Sequence, residues 1–316
     1  MPELRFDPLR EEWVAYNTAR NDRTFLPKDL CPLCPSGAAG GSEVPLDDFE
    51  VVVFENRFPA ISADKTVHAG RGPGAGCEVI VYTADHASDL AHLPLDRIRL
   101  LVDVWADRYE VLGSRPNVKY VFIFENKGKE VGVTLAHPHG QIYALPFIPP
   151  VAKQELSASA RHVRSTGRCL HCERIEHELS GERLLFARES MLAFVPHAAH
   201  WPYEVHVYPR RHAGSIASLD VQERADLAEA IRDVAGTYDR HFGFSAPYVM
   251  ALHQAPTDGG AWPAAHVHVE FYPPHRRPDR LKQLAGVELG AGTFVNDTLP
   301  EQTASQLRRA LVAAPS

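Results

Sequence analysis

The 316-residue chain has no apolar run approaching the 18 or so residues that a membrane helix needs. Its start, Met1-Pro2-Glu3-Leu4-Arg5-Phe6-Asp7, lacks the basic-then-apolar layout of a signal peptide, so neither a helical membrane anchor nor export is expected, and the cytoplasm is the expected location. Lysine is scarce, at 7 residues, no block of Lys and Arg stands out, and the net charge is −7. A nucleic-acid partner or an anionic membrane surface is therefore not expected, although local phosphate binding stays open. Cysteine is also sparse: with no secretory leader expected, the five residues point more readily to metal ligation than to a disulfide framework. With 45% hydrophobic and 23% charged residues the composition is globular and the length is enough for two cores.

What is abundant is histidine, with 17 residues. Imidazole is the side chain of metal ligation and of proton or phosphoryl chemistry near neutral pH. Four of the five cysteines form two C-x-x-C pairs, Cys31/Cys34 and Cys169/Cys172, and Cys77 stands alone as an expected packed thiol.

The two pairs mark a duplication. Cys31-Pro32-Leu33-Cys34 answers Cys169-Leu170-His171-Cys172. Glu78-Val79-Ile80-Val81-Tyr82 with His86 answers Glu204-Val205-His206-Val207-Tyr208 with His212, and His137-Pro138-His139-Gly140-Gln141 answers His266-Val267-His268-Val269-Glu270. The largest change of offset falls at Ala69–Gly76, a glycine-rich stretch without a counterpart in the second half.

Each half reads alike. Two apolar strands (Val51 to Phe54 and Glu78 to Tyr82; Leu192 to Val195 and Glu204 to Tyr208) precede a helix, with Asp96 and Asp220 as expected N-caps. The helices repeat apolar residues at helical spacing: Ile98, Leu101, Val102, Trp105 and Tyr109, then Leu227, Ala230, Ile231, Val234 and Tyr238. A strand follows (Tyr120 to Phe124; Tyr248 to Leu252), then the His-x-His strand. The expected fold is α+β: two tandem half-domains, each an antiparallel sheet with a helix, at residues 1–150 and 151–279, followed by a tail at 280–316. A linking helix is expected from Pro149 to about Arg168, a tail helix from about Glu301 to Ala310, and a loop that could face a ligand at Ala285–Gly292.

Zinc favours four tetrahedral ligands from thiolate and neutral imidazole. The first half offers Cys31, Cys34, His86 and His137; the second offers Cys169, Cys172, His212 and His266. Two zinc ions per chain are expected. On the His-x-His strand, His137, His139 and Gln141 share one face. Gly140 is expected to let a large ligand approach closely.

The duplicated half-domain with His137-Pro138-His139-Gly140-Gln141 resembles the galactose-1-phosphate uridylyltransferase branch of the histidine triad superfamily. The likeness extends to Phe124-Glu125-Asn126-Lys127-Gly128 and Phe271-Tyr272-Pro273-Pro274. It implies a histidine-triad-like fold and a ping-pong transfer of UMP between UDP-glucose and galactose 1-phosphate. His139 would be the covalent nucleophile, its second ring nitrogen donating to the backbone carbonyl of His137, and Gln141 would bond the phosphoryl oxygens. Arg20, Arg23, Phe54, Asn56, Asn126, Thr134 and Gln141 fall at the family's nucleotide contacts. Lys282 and Glu288 match tail residues that grip the sugar phosphate in a partner subunit, which implies a homodimer.

The chain departs from that pattern in places. Val287 and Phe294 lie nearest positions where other members carry a tyrosine and a glutamine. Those members lack the second C-x-x-C and hold another metal with a glutamate and three histidines, for which the nearest residues here are Glu155, His253, His268 and Glu270. The two-knuckle layout also resembles an ADP-glucose phosphorylase of the superfamily, which has serine at Gly140, so an adenylyl-transferring phosphorylase is the first rival. A non-catalytic, nucleotide-binding zinc protein is the second.

Overall fold

The computed structural model describes residues 3–22, 31–36, 42–61 and 75–312. Arg23 and most of the glycine-rich stretch lie outside the described residues.

An N-terminal hairpin, β1 (Glu3–Asp7) and β2 (Glu12–Tyr16), stands apart from the main sheet. The first half then runs β3 (Val52–Glu55), β4 (Gly76–Val81), α1 (Leu95–Gly113), β5 (Tyr120–Lys127) and β6 (His139–Leu145). Two helices, α2 (Pro150–Thr166) and α3 (Leu170–Leu179), lead into the second half. This comprises β7 (Leu184–Ala187), β8 (Met191–Phe194), β9 (Val205–Pro209), α4 (Val221–Phe242), β10 (Tyr248–His253) and β11 (His268–Tyr272). A small hairpin of β12 (His275–Arg277) and β13 (Arg280–Leu281) precedes α5 (Gly286–Ala291) and α6 (Pro300–Val312).

Among the described residues nine strands join in one antiparallel sheet, in the order β3-β4-β6-β5-β10-β11-β9-β8-β7. The α+β expectation is met, and the duplication becomes visible as symmetry. The order β3-β4-β6-β5 is repeated in reverse by β10-β11-β9-β8. At the seam Phe124 pairs with Ala251 and Ile123 with Leu252, so equivalent strands meet each other. Each half would leave β5 or β10 as an unpaired edge, and pairing the two edges satisfies their backbone groups without any extra element.

The two long helices cover one face of this sheet. From α1, Ile98, Leu101, Val102 and Trp105, and from α4, Leu227, Ile231, Val234 and Tyr238, join one core with Ile80, Ile123, Ile142, Val205 and Val269. Burying a side chain of this size contributes roughly 1.5–3 kcal/mol. Asp220 caps α4 as expected, accepting from the Glu223 amide in a reciprocal capping box, worth about 1 kcal/mol. Asp96 does not cap α1. Pro94 holds that position, and Asp96 lies in the first turn, where its carboxylate favours the positive helix end. The linking and tail helices form, whereas the loop expected at Ala285–Gly292 is mostly helix α5. Glu288 closes that turn by accepting from the Ala285 amide at 2.9 Å, and Gly292 ends it in the left-handed conformation. Among the described residues no helix is long and apolar enough to cross a membrane.

Candidate active site and metal centres

Strand alternation sends Gly140, Ile142 and Ala144 of β6 toward the helices and His139, Gln141 and Tyr143 to the opposite face. His137 falls just before the strand. Its Nε2 donates to the Thr83 carbonyl at 2.7 Å, which leaves Nδ1 deprotonated and aimed at Cys34 Sγ, 3.5 Å away. His86 Nδ1 is 3.3 Å from the same sulfur. One ligand atom from each of Cys31, Cys34, His86 and His137 lies within 4.8 Å of the others.

The second half repeats this construction. His266 Nε2 donates to the Pro209 carbonyl at 3.1 Å, and the His212 and His266 Nδ1 atoms stand 3.5 and 3.8 Å from Cys172 Sγ. Cys169, Cys172, His212 and His266 likewise lie within 4.8 Å of one another. The donor sets fit zinc: two sulfurs and two imidazoles at each site, one of them (His137 or His266) with its tautomer fixed by a backbone carbonyl, and four atoms converging on one point. Burial and the neighbouring thiol push Cys34 up to about 11 and Cys172 up to about 12. A cation among the sulfurs reverses that cost and ionises them. Burial likewise holds the His266 ring neutral, its pKa lowered to about 3, as a ligand nitrogen must be.

His139 Nδ1 donates to the His137 carbonyl at 2.7 Å, so Nε2 carries the lone pair. Burial lowers the ring's pKa and keeps it neutral. Gln141 follows on the same face, its Oε1 accepting from Asn56 Nδ2 at 3.3 Å and from the Tyr143 hydroxyl at 3.5 Å.

Two cavities meet at His139. The smaller, about 80 Å³, is lined by Asn56, Arg57, Phe58, Thr134, Gln141 and His139 among others. The larger, about 400 Å³, includes Asn126, Lys127, Lys129, Ser245 and His139. Thus Asn56, Asn126, Thr134 and Gln141 are brought together around the imidazole. Phe54 packs beneath them with Leu33 and Val79. Arg20 does not line either cavity: its guanidinium donates to the Phe58 carbonyl at 3.3 Å. Among the described residues the arginine on this cavity wall is Arg57, overlooked in the sequence although it directly follows Asn56 just after β3. Lys282 and Glu288 are not brought to His139 within one chain. They pair at 2.6 Å, and Lys282 with two backbone amides holds the Glu288 carboxyl down at about 2.

The expectation for Gly140 needs correction. A Cβ there would meet the Tyr82 hydroxyl at 2.3 Å and the Phe124 carbonyl oxygen at 3.1 Å. The glycine makes room for the protein's own core, not for a ligand.

Glu155, His253, His268 and Glu270 also converge within 4.8 Å. Glu270 accepts from several partners at once: His206 Nε2 at 3.1 Å, His268 Nε2 at 3.3 Å, His253 Nε2 at 3.5 Å and the Tyr272 hydroxyl. Glu155 meets His253 Nδ1 at 2.9 Å. This cluster closes as a network of buried ion pairs. Cys77, as expected, is a packed thiol beside Ile61, Tyr120 and Leu145.

Residues 1–149 match the N-terminal domain of galactose-1-phosphate uridyl transferase, and residues 155–314 match its C-terminal domain. The galactose-1-phosphate uridylyltransferase of Thermotoga maritima is 41% identical, with 98% of each chain covered. A solved uridylyltransferase structure superposes with a TM-score of 0.87 at 36% identity, covering 99% of each chain. An ADP-glucose phosphorylase from Arabidopsis thaliana shares the fold, with a TM-score of 0.75 at 23% identity over 98% of this chain and 99% of that one. With both halves matched in order along nearly the whole length, the chain belongs to the galactose-1-phosphate uridylyltransferase family.

Proposed function

We propose that this chain moves UMP between UDP-glucose and galactose 1-phosphate through a uridylyl group carried on His139. The observation that supports this most directly is the Nδ1–H bond to the His137 carbonyl, which presents a neutral Nε2 lone pair where two polar cavities meet. His139 Nε2 attacks the α-phosphorus. The bond from that phosphorus to the bridging oxygen breaks, and glucose 1-phosphate leaves with the oxygen and its electron pair. An oxygen of galactose 1-phosphate then attacks the same phosphorus, forming UDP-galactose and freeing the imidazole. Splitting the exchange into two displacements lets one site serve both sugar phosphates in turn.

With its Oε1 held by Asn56 and Tyr143, Gln141 offers Nε2–H to a phosphoryl oxygen as charge builds there. It has no proton to give a leaving group, which suits a sugar phosphate, itself a stable anion. Arg57 and Asn56 from one cavity, and Asn126 with Lys127 from the other, flank the phosphate path.

Cys31, Cys34, His86 and His137 would hold one zinc ion, and Cys169, Cys172, His212 and His266 a second. Zinc at these sites would supply structural cross-linking. His137 then has two duties, an Nδ1 toward the metal and a carbonyl toward His139. On this reading residues 1–150 are the catalytic repeat, 151–279 the degenerate repeat, and 280–316 a tail that completes the site of a partner subunit in a cytoplasmic homodimer. Two features support the tail's role: Lys282 and Glu288 lie off their own chain's cavities, and Val287, Leu289, Phe294 and Val295 are exposed beside them.

The test is mass spectrometry of the protein after incubation with UDP-glucose or ADP-glucose. A UMP adduct on His139 that galactose 1-phosphate discharges is the expected result. An AMP adduct would overturn the base assignment in favour of the phosphorylase, and no adduct with either sugar nucleotide would leave only nucleotide binding.

A further inference from the structure

On the face of β6 opposite His139 and Gln141 lies the buried carboxyl of Glu125, a residue that also borders the larger cavity. Glu125 stands across from Gly140 in the β5–β6 pairing and across from Met250 in the β5–β10 pairing. The Tyr82 hydroxyl donates to its Oε2 and the Tyr248 hydroxyl to its Oε1, each at 3.4 Å. None of the three residues is more than 4% exposed. Tyr82 is also tied at its backbone, where its amide donates to the Pro138 carbonyl at 3.1 Å, one residue before His139. Its hydroxyl therefore occupies the volume that any side chain at position 140 would need.

We propose that Glu125 is a positioning residue for uridylyl transfer: by bracketing the Tyr82 and Tyr248 hydroxyls it pins Tyr82 beneath Gly140 and so fixes the height at which His139 and Gln141 stand above the sheet. Tyr248 comes from the second repeat, so the bracket anchors the catalytic strand across the β5–β10 seam to the half that carries no nucleophile. Nothing else among the described residues occupies the space under Gly140 as closely as Tyr82 and the Phe124 carbonyl. The charged groups bearing on Glu125 are Lys127, on its own strand, and Asp89, with Asp239 clamping Lys127 from α4. Burial outweighs Lys127 and pushes the Glu125 carboxyl up to about 8, so at neutral pH it is largely uncharged and an amide is a fair mimic.

The proposal rests on His139 being the nucleophile, and the experiment separates the two. Single-turnover formation of uridylyl-His139 from UDP-glucose is measured for the full chain and for Tyr82→Phe, Gly140→Ala, their double variant, Glu125→Ala and Glu125→Gln. Because a displacement of about 1 Å can cost about 100-fold in rate, Gly140→Ala is expected to slow the step about 100-fold and Glu125→Ala about 30-fold, with KM within about twofold. Removing the Tyr82 hydroxyl relieves the 2.3 Å contact, so the double variant should recover about tenfold over Gly140→Ala, a coupling that independent sites do not show. Glu125→Gln should return to within about threefold of the parent protein. Should Gly140→Ala fail to fold, the Glu125 pair carries the same test. Strictly additive effects of Tyr82→Phe and Gly140→Ala, or a Glu125→Ala protein that is uridylylated at the parent rate, would overturn the bracket. An unmodified His139 in the parent protein would instead overturn the assignment of the nucleophile.

Discussion

His139 and His268 occupy equivalent places in the two repeats, and both donate Nδ1–H to the carbonyl two residues earlier, at 2.7 and 2.9 Å. The backbone device that prepares a nucleophilic Nε2 is thus present twice. The difference is what meets that nitrogen. Around His139 two cavities open and the third residue on the face is an amide; His268 is 3% exposed, and its Nε2 is taken by the Glu270 carboxylate at 3.3 Å. Duplication preserved the strand and its tautomer lock, while Glu270 in place of Gln141, with His206 and His253 brought up to the carboxylate, fills the second half with a buried ion-pair cluster where the first half has cavities. A carboxylate beside an incoming phosphate repels it, and the same carboxylate among three imidazoles compensates them.

The largest effect should come from exchanging the fates of the two histidines. His139→Gly is expected to lower turnover by at least about 10⁴-fold with the fold intact, as loss of a covalent nucleophile does. His268→Ala should leave kcat within a few-fold and instead destabilise the protein by about 3 kcal/mol, because it leaves Glu270 with one fewer buried donor. Steady-state kinetics and denaturant unfolding of both variants check this, and a His268→Ala protein of parental stability without activity would break the contrast.

The metal centres probe the similarity rather than the difference. Cys34→Ser and Cys172→Ser should each reduce bound zinc by about one equivalent per chain, as read by elemental analysis, since each removes one thiolate from a closed four-ligand set. Only the first should also slow transfer appreciably, because only His137 shares its backbone with the lock on the nucleophile. Loss of zinc from one variant alone would make the halves unequal at the metal as well.

A third, smaller effect is a pH dependence contributed by the second half. Burial opposes protonation of His253, but Glu270 and Glu155 outweigh it and raise its pKa to about 9. A histidine raised in the folded state contributes stability that is complete below its unfolded pKa of about 6.5 and is lost as pH rises through about 9. The parent protein should therefore lose on the order of 1–3 kcal/mol between pH 6.5 and 9.5. Glu270→Gln, which restores in the second half the triplet of the first, should flatten that loss and lower stability at pH 6. His268 should stay unmodified by UDP-glucose, because its burial remains.

Much of this comparison was legible in the sequence because it depends on residues close together in the chain. Paired C-x-x-C knuckles, the His-x-His strands and the helical spacing of Ile98 to Tyr109 are local patterns, and their repetition marked out the clusters of cysteine and histidine that the fold brings together. What was not legible depends on contacts between distant segments. The joining of β5 to β10 has no local signal, since either strand could have remained an edge. Gly140 was read as clearance for a ligand because the residue beneath it, Tyr82, lies just past β4, 58 residues earlier. The helical turn at Gly286–Ala291 hides behind glycines that disfavour helix, and forms because Glu288 caps it.

The smallest expected effect concerns the arginines: Arg20 was expected to contact the nucleotide, and the cavity wall carries Arg57. Arg20 donates to the Phe58 carbonyl, whereas Arg57 stands on the cavity wall beside Asn56 and Gln141. No arginine follows the corresponding strand of the second half, where Val195 and Pro196 continue from Phe194. A single guanidinium–phosphate contact at a partly open site supports about 1–2 kcal/mol. Arg57→Ala should therefore raise the KM for UDP-glucose about tenfold while kcat changes little, and Arg20→Ala should raise it by less than about threefold. If the two rank in the opposite order, the cation that distinguishes the working half is contributed by the N-terminal segment, and the contrast between the repeats extends beyond the sheet they share.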